Sequence, residues 1–234
     1  MFWIDWPYLV LVVPMLIISM WAQIKVKTTY NKYSKVYAGM GLTAEMAVRK
    51  ILDSNGLFNV GITRTPGDLT DHYDPRSNTI ALSDSVYGST SVAAIGVAAH
   101  EAGHAIQHAK GYIPIKIRMA LVPAVSFASR FTWVIIIVGF LMLAFDSLIG
   151  YYVALLGIGL FAVATLFELV TLPCEFNASR RAMEALSASG WYSRQELRGS
   201  RKVLTAAALT YVAALAVSLI QLLRLVLSLN RRRR

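Results

Sequence analysis

Cysteine and charged residues are both scarce in this sequence. Cys174 is the single cysteine among 234 residues, which excludes an intramolecular disulfide and any metal site built from several cysteines. Charged residues make up only 15% of the chain, whereas 56% of residues are hydrophobic. This balance excludes an ordinary soluble domain of this length. The composition therefore predicts an integral membrane protein.

Basic residues outnumber acidic residues, 23 to 13, and the formal net charge is +10. The basic residues flank apolar segments and do not form patches interleaved with aromatics, so we expect the lipid bilayer, and no nucleic acid, as the partner. No basic residue precedes the first apolar run, at about residues 6–24, but four lysines follow it. That order is opposite to a cleavable signal peptide, and it predicts a retained anchor with its N-terminus outside. The aromatic residues bracketing the run fit two membrane interfaces: Trp3, Trp6 and Trp21.

Apolar runs and basic flanks together predict a mainly α-helical, multi-pass membrane protein with about four spanning helices. We expect an N-terminal anchor at residues 1–25, a cytoplasmic part at 26–118, a membrane hairpin at 119–172, a second cytoplasmic helix at 173–202, and a C-terminal span with a basic tail at 203–234. Most Lys and Arg lie in 26–118 and 173–202, which places these parts in the cytoplasm. Four spans put the C-terminal arginines outside, unless the last segment bends back along the inner interface after Gln221.

The hairpin has two irregular features, Pro123 and Arg130. They favour a spanning helix of about residues 131–148, with 114–129 lying along the interface or on the soluble part. A third span is expected at 151–172. Folding the chain about residues 148–149 brings Arg130 and Glu168 to similar depth, and because a charge in lipid needs a partner, we expect these two side chains to pair.

Residues 39–111 have a more soluble composition. Thr43 is a suitable cap for a helix that stops at Asn55-Gly56. Strand-like segments follow at 59–65 and 78–83. Because the second strand comes just before the next helix, it is also a candidate for pairing with an extended peptide substrate, through residues 79–82.

The motif with chemical content is His100-Glu101-Ala102-Gly103-His104, an H-E-x-x-H sequence within a helix-like run. Histidines four residues apart lie on one face of a helix, so both can bind one metal ion. Glu101 lies beside them, where it can exchange a proton with water that the metal activates. This combination is typical of zinc-dependent peptide hydrolysis. His108 is rotated away from the ligand face.

The third protein ligand is not fixed by the motif. A third histidine in the extended form of the motif is excluded, because Gln107 and Lys110 occupy the positions for Gly and His. An aspartate from a later membrane segment would have to be Asp146, which falls at the far membrane face. A glutamate on a second helix remains, and the candidates are Glu175, Glu184 and Glu168.

Three segments carry a resemblance to a known family: HEAGHAIQH, DHYDPRSNTIALS and TLPCEFNASRRA. Together they resemble the YugP-like family of membrane-bound neutral zinc metallopeptidases and, more distantly, the HtpX and CAAX prenyl protease group. In the distant group a glutamate after a membrane hairpin completes the zinc site, which implies Glu175 here. Ser179 stands where that group has aspartate, so Ser179 or Asn177 is expected to orient a histidine.

The resemblance implies a small α+β, zincin-like catalytic unit at the cytoplasmic face of a bacterial plasma membrane, with one Zn²⁺ per chain. We expect His100, His104 and Glu175 as metal ligands and Glu101 as general base and acid. Donors for the transition-state oxyanion are sought in the matched segments: His72, Tyr73, Arg180 and Arg181.

The expected function is hydrolysis of peptide bonds in protein substrates, in a setting such as membrane protein quality control. A zinc-binding scaffold or membrane chaperone without proteolysis is the main alternative, and Glu101 argues against it because a structural site needs no general base. A transporter would leave the H-E-x-x-H motif unexplained. The sequence leaves open a homo-oligomer or a membrane partner protein.

Overall fold

A computed structural model of the chain describes residues 8–231. Trp3, Trp6 and the arginines at 232–234 lie outside the described residues. The described part contains these elements in chain order: a π-helical turn Tyr8–Val12, α1 Val13–Tyr33, α2 Ala44–Ser54, β1 Gly61–Thr65, β2 His72–Asp74, β3 Thr79–Ser83, α3 Val92–Ala109, α4 Ile113–Leu143, α5 Leu148–Ala188 and α6 Arg194–Arg231.

The chain divides into two compact units. The helical unit comprises residues 8–21, 117–172 and 211–231 of the described part, and the mixed unit comprises 22–116 and 173–210. Within residues 8–231, four helices are long and apolar enough to cross a membrane: Tyr8–Tyr33, Ile113–Leu143, Leu148–Ala188 and Arg194–Arg231. The prediction of a mainly helical protein with about four spanning helices and a small sheet is confirmed.

Several predicted helix ends differ from the structure. Helix α4 begins at Ile113 and runs through Pro123 without a break, so the expected start at Phe131 is wrong. Helix α5 likewise runs through Pro173, which does not begin a new helix. Packing of neighbouring helices compensates for the hydrogen bond that a proline removes from an apolar helix. Helix α6 is continuous past Gln221 to Arg231, so the alternative of a bend at that residue is also wrong.

The hairpin of the helical unit has a register different from the predicted one. A Cβ atom on Gly139 would overlap the backbone of Ala154, and one on Gly157 would meet the side chain of Ile136 at 2.6 Å. These pairs centre the hairpin near residues 146–147, two residues earlier than expected, because α4 ends at Leu143.

This register separates the two charged residues that were expected to pair. The position opposite Arg130 is near residue 163, about five residues or roughly 7.5 Å along the helix from Glu168. No ion pair joins Arg130 and Glu168 in the described part of the chain, and Glu168 Oε2 is buried without a hydrogen-bond partner. The predicted pair is therefore wrong.

The mixed unit contains the three-stranded sheet. Strand β3 is central, in the order β1-β3-β2, with β1 parallel and β2 antiparallel to it. The predicted strands correspond to β1 and β3, whereas the three-residue strand β2 was not predicted. Because β3 has a strand on both sides, and Ser83 N donates to Asp71 Oδ1 beyond the end of β2, residues 79–82 have no free edge for a substrate. The proposed strand addition at that segment is wrong.

Local signals place the helices of the mixed unit. Thr43 is the N-cap residue of α2, although its hydroxyl makes no capping hydrogen bond, and Gly56 follows the helix with φ of 74°. Before α6, Ser193 and Glu196 form the reciprocal bonds of a capping box, at 2.6 Å and 3.3 Å. Helix α3 lies in the middle of the core and is buried over most of its length, which holds its side chains in fixed positions.

Candidate metal centre

Helix α3 presents two histidines on one face. The hydroxyl of Ser91 accepts a hydrogen bond from Ala94 N at 3.2 Å and caps the start of the helix. Further along, helical spacing places His100 and His104 one turn apart, with ring centroids separated by 4.7 Å. Their side chains are 14% and 9% exposed, so the surrounding protein restrains both rings.

Helix α5 places the carboxylate of Glu175 beside the two histidines. Glu175 is buried, and its Oε2 atom lies 3.1 Å from His100 Nε2 and 3.6 Å from His104 Nε2. Donor atoms of the three residues all lie within 4.8 Å of one another. The other glutamates considered lie elsewhere: Glu184 pairs with Arg180 on an exposed surface, and Glu168 belongs to the helical unit.

This donor set fits a zinc ion. Two imidazole nitrogens and a carboxylate oxygen are among the ligands that zinc takes in catalytic sites, where a further position stays open for water or substrate. In each ring the Nδ1 atom contacts another side chain, and the Nε2 atom faces Glu175. His100 Nδ1 lies 3.0 Å from Ser179 Oγ, and His104 Nδ1 lies 3.0 Å from Gln107 Oε1.

Glu101 is buried next to the first histidine and is not one of the three clustered donors. Its charge acts on Asp71, a residue just before β2. Burial raises the pKa of the Asp71 carboxyl group, hydrogen bonds from Ser83 oppose that rise, and the negative charge of Glu101 adds to it. Glu101 therefore lies within electrostatic range of a second, half-buried carboxyl group.

Three of the four candidates for substrate or oxyanion contacts, His72, Arg180 and Arg181, are spread over the mixed unit. His72 is exposed on β2, with Nδ1 2.9 Å from the carbonyl oxygen of Thr70. Arg180 is exposed and lies 3.8 Å from Glu184, and Arg181 donates to Asn177 at 2.7 Å. None of them belongs to the cluster of His100, His104 and Glu175, and their catalytic roles stay sequence predictions.

The side chains of Tyr73 and His108 contact each other outside the cluster of His100, His104 and Glu175. The hydroxyl of Tyr73, the fourth oxyanion candidate, lies 2.9 Å from Asn78 Oδ1 and 3.0 Å from His108 Nδ1. His108 is not one of the three residues that could hold a metal ion. These contacts connect β2 to helix α3 near its C-terminal end.

The contact between Gln107 and His104 was not predicted from the sequence. In the sequence Gln107 only excludes a third histidine ligand, whereas in the structure it contacts His104 directly. Its position three residues after His104, on the same helical face, was an available signal. Ser179 was named for its place in a pattern, and the structure places it against His100.

The chain is similar to known proteins over nearly its whole length. Residues 8–230 match the family described as "Putative neutral zinc metallopeptidase". The chain belongs to this family. It is also 46% identical over 220 residues to the protein named "Putative membrane protease YugP" of Bacillus subtilis (strain 168), covering 94% of this chain and 95% of that protein. No solved structure matches the chain. The family resemblance found in the sequence is confirmed.

Proposed function

We propose that this protein is a membrane-embedded, zinc-dependent endopeptidase that cleaves protein substrates at the cytoplasmic face of a bacterial cell membrane. The observation that carries the proposal is the cluster of His100, His104 and Glu175 with Glu101 beside it. The similarity over nearly the whole chain to the protein named "Putative membrane protease YugP" supports it. Quality control of membrane proteins is the setting we propose for the activity.

One zinc ion per chain would be held by the Nε2 atoms of His100 and His104 and by the carboxylate of Glu175. Zinc at such a site supplies Lewis-acid activation of water and of the substrate carbonyl group. Glu101 accepts a proton from the attacking water and then gives it to the nitrogen of the amine that leaves. Burial around Glu101 keeps bulk water from competing for that proton.

The test is the substitution Glu101→Gln, which keeps the shape of the side chain and removes the base. We expect zinc content, measured by elemental analysis of the purified protein, to stay near one per chain. Hydrolysis of an unfolded protein such as casein should fall by at least 100-fold, within the range typical of a lost general base. The control is Glu184→Gln, a carboxylate that is two-thirds exposed.

Two results would contradict the proposal in different ways. Full hydrolysis by the Glu101→Gln variant would remove the base mechanism. A wild-type protein that binds zinc and hydrolyses nothing would instead favour the zinc-binding scaffold or chaperone.

The cytoplasmic orientation has a separate test, because the single cysteine is buried and can be removed. In a Cys174→Ala background, Lys110→Cys tests the mixed unit, and Phe145→Cys tests the turn of the hairpin; both positions are exposed. We expect an impermeant thiol reagent to label residue 145 in intact cells and residue 110 only after permeabilisation. The reverse pattern would place the site outside the cell.

A further inference from the structure

The side chain of Gln107 is completely buried between α3 and α5, and every polar atom of its amide has a partner. Its Nε2 atom lies 2.7 Å from the carbonyl oxygen of Cys174 and 3.0 Å from Asn177 Oδ1. Its Oε1 atom lies 3.0 Å from His104 Nδ1. One side chain thus connects His104, a proposed metal ligand, to the turn of α5 on which Glu175 lies.

The direction of these hydrogen bonds is fixed by the partners. The carbonyl oxygen of Cys174 can only accept, so the amide must turn its NH₂ group toward it. Asn177 Oδ1 also accepts a bond from Arg181 Nε at 2.7 Å, and a guanidinium group has no acceptor. The amide oxygen of Gln107 therefore faces His104, and it requires an N–H group at Nδ1.

We propose that Gln107 is a positioning residue that fixes the tautomer of His104. With the proton held on Nδ1, the lone pair of the neutral ring is at Nε2, the nitrogen nearest to Glu175. The amide acts through the histidine and does not itself touch metal or substrate. This inference rests on the proposed function, because it assigns Gln107 a role in a zinc site.

His100 and His104 differ in the kind of group that contacts Nδ1. The partner of His100 Nδ1 is the hydroxyl of Ser179, which can either donate or accept a hydrogen bond. Ser179 leaves the tautomer of His100 open, whereas Gln107 determines that of His104. We expect His104 to be the ligand that is preorganised before zinc arrives.

Direct observation of the ring protons in the wild-type protein tests the inference. The chain has only four histidines, so ¹⁵N-histidine labelling in detergent micelles gives a small number of ring signals. We expect His104 to carry its proton on Nδ1 at pH 8 with and without zinc, and that proton to exchange slowly with water. A metal-free protein in which His104 carries its proton on Nε2 and none on Nδ1 would overturn the proposal.

Variants at residue 107 add a second measurement. Gln107→Met keeps the length of the side chain and removes the acceptor, so we expect zinc affinity to weaken by about 10–100-fold in competition with a chelator. Gln107→Glu keeps an acceptor oxygen, and we expect it to retain the Nδ1 proton of His104 that the Met variant loses. An unchanged affinity and an unchanged Nδ1 proton in Gln107→Met would overturn the proposal.

These results separate the two claims. A wild-type protein that binds no zinc contradicts the proposed function, while the metal-free spectrum still decides whether Gln107 fixes the tautomer. Zinc binding that does not depend on residue 107 contradicts the role of Gln107 alone. If Gln107→Met does not fold, the wild-type spectrum remains decisive.

Discussion

Gly103 of helix α3 lies directly against the backbone of Ala178 on helix α5, so that a Cβ atom added at Gly103 would overlap the carbonyl oxygen of Ala178. Gly103 is the residue before His104, and Ala178 lies one turn after Glu175. The missing side chain therefore allows the two helices to approach until the histidines and the glutamate meet.

We expect Gly103→Ala to disrupt the metal site. The overlap is with backbone, which cannot rotate away, so the helices must separate at a cost of about 1–3 kcal/mol or more. Zinc content should fall well below one per chain, and the melting temperature in detergent should drop. The matched control is Gly159→Ala in the interior of α5, where an added Cβ meets nothing within 4 Å. If Gly103→Ala keeps full zinc content, close approach is not required for the site.

Local sequence patterns were sufficient to predict part of the candidate site. The H-E-x-x-H spacing places His100 and His104 together whenever the segment is helical, because that relationship depends on helix geometry alone. The capping box at Ser193 and Glu196 is equally local, and the structure contains it. Glu175 required the family resemblance, because the sequence by itself left three glutamates open.

Features that depend on tertiary packing were not predictable in the same way. The register of the hairpin depends on where α4 ends, and a shift of two residues at the turn was enough to separate Arg130 from Glu168. Strand β2 has three residues, too few for an alternating pattern. The contact of Gln107 with Cys174 joins residues 67 positions apart, and no local signal specifies it.

Glu175→Ala tests the third ligand. Removing the carboxylate leaves two histidines, so we expect zinc content by elemental analysis to fall to a small fraction of one per chain at micromolar free zinc. The control is Glu184→Ala, since that side chain is exposed and pairs only loosely with Arg180 at 3.8 Å. Unchanged stoichiometry in Glu175→Ala would move the third ligand elsewhere.

Glu168→Leu should stabilise the protein without affecting zinc. Oε2 of Glu168 is buried in the helical unit and has no hydrogen-bond partner, and such an atom costs about 1–3 kcal/mol. We expect the melting temperature in detergent to rise. Thr165→Val is the control one turn earlier, because the hydroxyl of Thr165 is satisfied by the carbonyl oxygen of Phe161 at 3.0 Å. A lower melting temperature for Glu168→Leu would show that the carboxyl group contributes favourably to the fold.

Asp71→Asn should become progressively more stable than the wild type as the pH rises. Burial raises the pKa of Asp71 above its usual value of 3.8, so the folded protein holds the proton more tightly than the unfolded chain. The resulting stability is fully present below pH 3.8 and is lost as the pH rises through the higher pKa of the folded protein. Asparagine can keep both contacts with Ser83 without ionising.

Asp74→Asn is the matched control for Asp71→Asn, and its effect should have the opposite sign. A hydrogen bond from the backbone N–H of Arg76 lowers the pKa of Asp74, so its ionised form stabilises the fold above pH 3.8. Asp74→Asn should therefore be less stable than the wild type near neutral pH and should approach it in acid. Melting temperatures of the three proteins between pH 3 and pH 8 measure both trends. Parallel curves for Asp71→Asn and the wild type would mean that burial does not perturb the ionisation of Asp71.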